Sequence, residues 1–341
     1  MRIKSKAPFR IGLAGGGTDV SPYCDQFGGA ILNVAISLYA RTTIIPRTDG
    51  KIIIRNEDSS QKLEFDSAKE LPVGGFLDLQ VGVYNRIVKQ FTKEKLSFEM
   101  ITSMDVSSGS GLGTSSTIVV SAIGAFVKWL NLSLEKNEIA QLAYDIERVD
   151  LKMAGGRQDQ YAATYGGINF MEFYEGNKVA VNPIILGDSL KNELQKNLIL
   201  YYTKTSRESA KIIETQANNA QTKQEKPLKA MHLVKEQAFL MKEALGNQEL
   251  HKIGEILSTS WENKKQMAAG ITNELIDEIY STAISAGATG GKISGAGGGG
   301  FMIFYAEESK KNYVIEMLEQ FGGQERAFDF CDEGLSAWTL Y

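Results

Sequence analysis

Glycine recurs at every second position from Gly109 to Gly113 in the run Val106-Ser107-Ser108-Gly109-Ser110-Gly111-Leu112-Gly113-Thr114-Ser115-Ser116. A strand or helix interior is weakened by such spacing, because each glycine adds backbone freedom and removes a packing side chain. The run stands between a strand-like stretch, Phe98 to Thr102, and a helix-like stretch apolar on nearly every face, Thr117 to Trp129. It therefore predicts a tight strand–loop–helix turn whose main-chain N–H groups come close to a ligand. The helix start adds its own unpaired N–H groups and the positive end of its dipole. Together these make an anion cradle, and the usual anion is a nucleotide phosphate. The plain alternative is a Gly/Ser turn with no ligand.

Three familiar phosphate loops do not fit. A Walker loop needs Lys after its last glycine, where Thr114 stands. A dinucleotide fingerprint needs G-x-G-x-x-G, whereas the spacing here is G-x-G-x-G, which weighs against a dinucleotide oxidoreductase. The catalytic-loop and metal-binding motifs of protein kinases are absent.

Two further glycine clusters flank the chain. One is Lys6-Ala7-Pro8-Phe9-Arg10-Ile11-Gly12-Leu13-Ala14-Gly15-Gly16-Gly17-Thr18-Asp19. The other is Gly290-Gly291-Lys292-Ile293-Ser294-Gly295-Ala296-Gly297-Gly298-Gly299-Gly300, followed by the apolar run Phe301 to Tyr305. Ordinary globular sequence separates the clusters, so low-complexity bias does not account for them.

In this order the three clusters resemble the three motifs of the GHMP kinases, the family of galactokinase, homoserine kinase, mevalonate kinase and phosphomevalonate kinase. The resemblance covers essentially the whole chain. Ser116 stands where the family's central loop usually has Ala, and the third motif matches without departure. The first motif most resembles that of bacterial D-glycero-D-manno-heptose 7-phosphate kinases and their fucokinase-like relatives. Gly16-Gly17 replace the Glu-His pair of galactokinases, which argues against galactose. The resemblance implies an α+β fold in two domains: a ribosomal protein S5 domain 2-like, ATP-binding domain over residues 1–185 and a ferredoxin-like domain over 195–341. The polar stretch after Asn182-Pro183 marks the boundary between them.

It also implies roles for particular residues. ATP would lie on Ser108, Gly109, Ser110, Gly111, Leu112, Gly113, Thr114, Ser115 and Ser116, with Mg2+ on Ser115 and Glu147. Asp159, in Gly155-Gly156-Arg157-Gln158-Asp159-Gln160, would act as general base or orient the acceptor hydroxyl, with Arg10 as its fixed cation. Asp19, Gly16 and Gly17 would meet the sugar, with Gly297 and Gly298 of the third motif on the same substrate. Read from the residues alone, Glu147 could instead be a solvated helix carboxylate paired with Arg148 or Lys152, and Asp19 and Asp159 could be ordinary turn residues. A phosphate already on the sugar needs another anion site. Thr205 with Glu208 forms a capping-box pattern that predicts a helix start, and Lys204 and Arg207 add charge to it; Arg157 and Lys152 are alternatives.

The expected activity is an ATP- and Mg2+-dependent kinase acting on the anomeric hydroxyl of D-glycero-D-manno-heptose 7-phosphate, with a fucokinase-like sugar 1-kinase as the alternative. A non-catalytic sugar-binding regulator on the same scaffold would not need Arg10, Ser115, Glu147 and Asp159 together. The net charge of −4 disfavours nucleic-acid binding without excluding an anionic small-molecule substrate. Cys24 and Cys331 allow no zinc spacing. With neither a signal-peptide pattern nor an apolar run of the ~20 residues needed to span a bilayer, a cytoplasmic monomer or homodimer without membrane contact is expected. His232 and His251 lie in charge-rich helical stretches and read as structural. Locally, Thr42 to Pro46 and Lys51 to Arg55 around Thr48-Asp49-Gly50 predict a hairpin, and Leu134 to Leu151 predicts one continuous helix.

Overall fold

The computed structural model describes residues 1–205 and 209–341. In chain order the first half contains β1 (Arg2–Ala14), α1 (Tyr23–Phe27), β2 (Gly29–Pro46), β3 (Lys51–Asn56), β4 (Lys62–Asp66), α2 (Asp78–Ile87), β5 (Phe98–Met104), α3 (Thr114–Leu130), α4 (Lys136–Asp145), α5 (Gln158–Tyr165), β6 (Ile168–Phe173) and β7 (Val179–Pro183). Then come α6 (Asp188–Asn197), β8 (Leu198–Tyr202), α7 (Ser209–Gln221), α8 (Glu225–Gly246), α9 (Ile253–Lys264), α10 (Glu274–Ser285), β9 (Gly290–Ile293), β10 (Phe301–Tyr305), α11 (Glu308–Leu318), β11 (Gln324–Glu325) and β12 (Ser336–Leu340).

Eight strands form the first sheet, in the order β12-β1-β2-β5-β3-β4, with β6 and β7 continuing from the first part of β2. The 18-residue β2 can serve two neighbours because its early residues pair with β6 and its later ones with β5. The predicted hairpin does not form. Strand β5 lies between β2 and β3, antiparallel to the first and parallel to the second. Buried Phe98 and Met100 of β5 thus sit beside Ile44, Ile52 and Ile54, a larger apolar contact than the two-strand ribbon would make.

Helix α3 packs on β1 and β2 and is buried on nearly every face, as its composition requires. Its Phe126 and Trp129 form an aromatic cluster with Tyr84 of α2 and Phe98 of β5. Each such ring pair adds about 0.5–1.5 kcal/mol beyond its burial. The predicted helix after residue 134 is interrupted: α4 gives way to a π-helical turn over Ile146–Asp150, which carries Glu147. Such turns are rare and cluster at functional sites.

The second sheet runs β11-β8-β10-β9 and is antiparallel throughout. Two strands at its centre are joined through flanking ones by helical crossovers, the split βαβ arrangement of ferredoxin-like units. The two sheets do not divide at one point in the chain. β12 returns from the second half to pair Ser336–Leu340 with Arg2–Lys6 on the edge of the first sheet.

Candidate active site

The three glycine clusters meet at one place. Gly109, Gly111 and Gly113 have φ of +75°, +85° and +79°, a region in which an L-residue loses about 1–2 kcal/mol. These left-handed steps fold the bend back on itself before α3. Leu112 plugs it into the core, and Phe301 N–H donates to the Ser110 carbonyl at 2.9 Å. A Cβ on Gly111 would stand 2.6 Å from the Ser294 carbonyl oxygen, so the central and third clusters touch through bare backbone. Arg10 joins the first cluster to both: its Nη1 donates to the Gly111 carbonyl at 2.7 Å, an oxygen that also accepts from Ser294 Oγ at 2.9 Å.

Two cavities open on either side of this bend. The larger, about 1090 Å³, is walled by the 73–80 segment with Val73, Phe76 and Leu79, by Asn56 and Asp58 after β3, and by Tyr202 and Arg326 from the second half. Its size and mixed apolar lining suit a nucleoside triphosphate. The smaller, about 480 Å³, holds Arg10, Asp19, Asp159, Arg148, Lys152 and Lys264. Ser108, Thr114 and Ser115 line both, so the hydroxyl-bearing start of α3 forms their common wall. Ser110, Leu112 and Ser116 are buried and line neither, so the first two can meet a ligand only through the main chain.

In the smaller cavity, Asp159 sits in the first turn of α5, where the helix dipole favours an anion. Its Oδ1 takes both Arg10 bonds, from Nε at 2.7 Å and from Nη2 at 2.6 Å. Among the described residues nothing bonds Oδ2, which is left without a hydrogen-bond partner in the cavity. Asp19 is buried, and its Oδ2 accepts from Arg157 N–H at 2.7 Å and Gln158 N–H at 3.0 Å. Burial raises its pKa above the ordinary carboxylate value, the two backbone bonds oppose this, and the nearby Asp159 charge adds to it. Lys264 and Lys292 are buried cations that sequence reasoning passed over. Lys264 Nζ donates to the Gly295 carbonyl at 2.6 Å, and burial lowers its pKa to about 8. Lys292 Nζ donates to the Gly12 carbonyl at 2.7 Å, and burial holds it well below the usual lysine range.

Glu147 is not the solvated helix carboxylate of the plain reading, being 0% exposed. Its Oε2 accepts from Gln160 Nε2 at 2.6 Å, and that same amide donates to Ser116 Oγ at 3.0 Å. Its Oε1 is buried without a hydrogen-bond partner among the described residues, with Arg148 Nη1 at 3.6 Å. A buried carboxylate oxygen without a hydrogen bond is a donor that a hard cation takes, but Glu147 lines neither cavity and Arg148 already faces that oxygen. No group of three or more His, Cys, Asp or Glu side chains clusters among the described residues, so phosphate oxygens and water would complete such a site.

Several expected substrate contacts lie elsewhere. The Arg157 guanidinium turns away from the cavity to Asp25 Oδ1, the Tyr174 carbonyl, Ser21 Oγ and the face of Tyr144; only its N–H serves the site. Lys204 is exposed and lines neither cavity. Arg207 and Glu208 lie outside the described residues. Gly297 and Gly298 pack on Ile271, and it is Gly295 and Ala296 that face the smaller cavity. Gly17 lines the cavity, whereas Gly16 points its carbonyl at Lys264. His232 bonds Tyr23 Oη through Nδ1 at 2.9 Å, a structural contact.

Comparison with known proteins identifies the family and the fold. The GHMP kinases N terminal domain matches residues 79–167 and the GHMP kinases C terminal domain matches residues 241–324. The chain is 47% identical over 338 residues to the D-glycero-alpha-D-manno-heptose 7-phosphate kinase of Campylobacter jejuni, covering 99% of each. It is 40% identical to a D-glycero-D-manno-heptose 1-phosphate kinase from Bacteroides thetaiotaomicron, whose crystal structure superposes with a TM-score of 0.85 over 99% of both chains. At 22% identity, mevalonate kinase of Methanococcus jannaschii shares the fold, with a TM-score of 0.74 over 97% of this chain and 98% of that one. On both its domains and its full-length relatives, this chain belongs to the GHMP kinase family.

Proposed function

We propose that this kinase transfers the γ-phosphoryl group of ATP to the anomeric hydroxyl of D-glycero-D-manno-heptose 7-phosphate, giving the 1,7-bisphosphate and ADP. The observation that carries the reading is the free Oδ2 of Asp159 in a cavity that shares a hydroxyl-lined wall with a nucleotide-sized one. The acceptor oxygen attacks the γ-phosphorus, the bond to the β-phosphate bridging oxygen breaks, and Asp159 takes the hydroxyl proton. Arg10 holds the carboxylate in place and adds positive charge beside the transferring group. Ser115 and Glu147 would hold Mg2+, which when bound neutralises charge on the β- and γ-phosphates.

For the sugar's own phosphate the smaller cavity offers two cationic side chains in its lining, Arg148 and Lys152. Arg148 makes only long contacts, 3.4 Å to the Gly156 carbonyl and 3.6 Å to Glu147, so its N–H groups are available to an anion. A panel of heptose 7-phosphate, unphosphorylated heptose and L-fucose, with ATP and with 31P NMR of the product, tests the reading. The heptose phosphate should show the highest kcat/KM and a new anomeric phosphate signal. Equal turnover of the unphosphorylated sugars would overturn it in favour of a fucokinase-like activity.

A further inference from the structure

Lys264 closes α9, yet its side chain turns into the protein and is 3% exposed. Its ammonium group reaches two main-chain carbonyls, Gly295 of the third glycine cluster at 2.6 Å and Gly16 of the first at 3.4 Å. Both partners are neutral, and no carboxylate pairs with Nζ directly among the described residues. A desolvated charge without an ion partner is expensive, and tying two loops together would not need one. An ammonium has three N–H groups, so one remains after both carbonyls are served. Lys264 also lines the smaller cavity, together with Asp19 and Asp159.

Asp19 complements it. One carboxylate oxygen is committed to the N–H groups of Arg157 and Gln158, and the other has no side-chain partner among the described residues. The cavity thus holds a spare donor and a spare acceptor whose charges attract each other. A hydroxyl is the small group that satisfies both at once, accepting from one and donating to the other.

We propose that Lys264 is an acceptor-binding residue, and that its ammonium and the Asp19 carboxylate together read one hydroxyl of the sugar other than the one phosphorylated. This rests on the assignment of the smaller cavity to a sugar. A site built around such a pair rejects an analogue lacking that oxygen, because both groups are left desolvated without a partner. The charged form is the donor required here. Arg10 from β1 opposes that charge, while Asp19 and Asp159 support it, and neighbouring Lys292 of β9 is itself held well below the usual lysine range. With burial the largest influence, the balance lies at about 8, so acceptor affinity should weaken as pH rises through that value.

The test compares wild type, Lys264→Met and Lys264→Arg, using whichever panel sugar the wild type phosphorylates best. A wrong choice of sugar then counts against the function proposed above and leaves this comparison intact. Lys264→Met should raise acceptor KM on the order of 10²-fold while ATP KM moves by no more than about twofold. A series of monodeoxy analogues should contain one that wild type rejects strongly and Lys264→Met no longer distinguishes. The rise of acceptor KM above pH 8 should vanish in Lys264→Arg, which stays charged. Equal effects on both substrates, or unchanged deoxy discrimination, would overturn the proposal. If Lys264→Met fails to fold, the pH profiles of wild type and Lys264→Arg decide: parallel profiles overturn it.

Discussion

A Cβ placed on Gly113 would stand 2.9 Å from Cγ of Asp159. The last glycine of the phosphate bend and the carboxyl assigned to the acceptor are therefore in van der Waals contact through a missing side chain. Gly113 is constrained twice, by its φ of +79° and by that neighbour.

Gly113→Ala should cost about 1–2 kcal/mol of stability from its backbone conformation and also displace Asp159. Gly176→Ala is the control, with φ +71° and open space around it. Denaturant unfolding should register the conformational loss in both and a further loss in the Gly113 variant from the clash with Asp159. Turnover should fall only in the Gly113 variant. Equal turnover in the two would mean that Asp159 tolerates the shift.

Asp159→Asn removes the proton acceptor and keeps the shape. It should lower kcat by roughly 10²–10⁴ while leaving affinity for a non-hydrolysable ATP analogue near wild type. Stopped assays and analogue titration check both. A kcat within a factor of a few of wild type would leave Asp159 a purely orienting role.

The Asp19 carboxyl has a raised pKa in the folded protein, burial being the main cause. A raised folded value means its contribution to stability is complete below the unfolded pKa and is lost as pH rises through the folded one. Wild type should therefore lose stability relative to Asp19→Asn as pH rises above about 4, the model-peptide range. Melting scans from acid to neutral pH check this. The same variant should raise acceptor KM, trading function for stability.

Glu147→Gln removes a buried charge whose Oε2 accepts from Gln160 and whose Oε1 faces Arg148 Nη1 at 3.6 Å. Melting temperature without Mg2+ should fall, because the Arg148 guanidinium loses its ion partner. The Mg2+ concentration for half-maximal activity should increase by at least the ~10–100-fold typical of weaker perturbations around a metal. An unchanged Mg2+ curve would remove Glu147 from the metal site.

The backbone-driven part of the site was legible in the chain. Positions where loops approach through bare main chain demand glycine, so the clusters stood out in the sequence, whereas the role of Asp159 came from the resemblance to the GHMP kinases, the residues alone leaving it a turn Asp. Side chains whose direction depends on distant neighbours could not be read this way. Arg157 sits within the same motif, yet Asp25 and Tyr144 draw it out of the cavity. Lys264 and Lys292 look like solvent charges because a local window shows nothing of the carbonyls that receive them. Glu147 lies in a π turn, and its complete burial depends on packing against distant elements that local spacing does not show. The hairpin failed for a related reason: turn chemistry at Asp49-Gly50 is local, whereas the choice of β5 as neighbour is a long-range apolar contact.

The return of β12 to the edge of β1 has a consequence for protein engineering. A chimaera that joins the N-terminal part of this enzyme to the C-terminal part of another family member receives a foreign border strand along the ribbon that bears Arg10. Swaps made at the 183–188 junction alone would mix the two parents inside one sheet. Grafts that also retain Ser336–Leu340 from the parent of β1 keep that ribbon native.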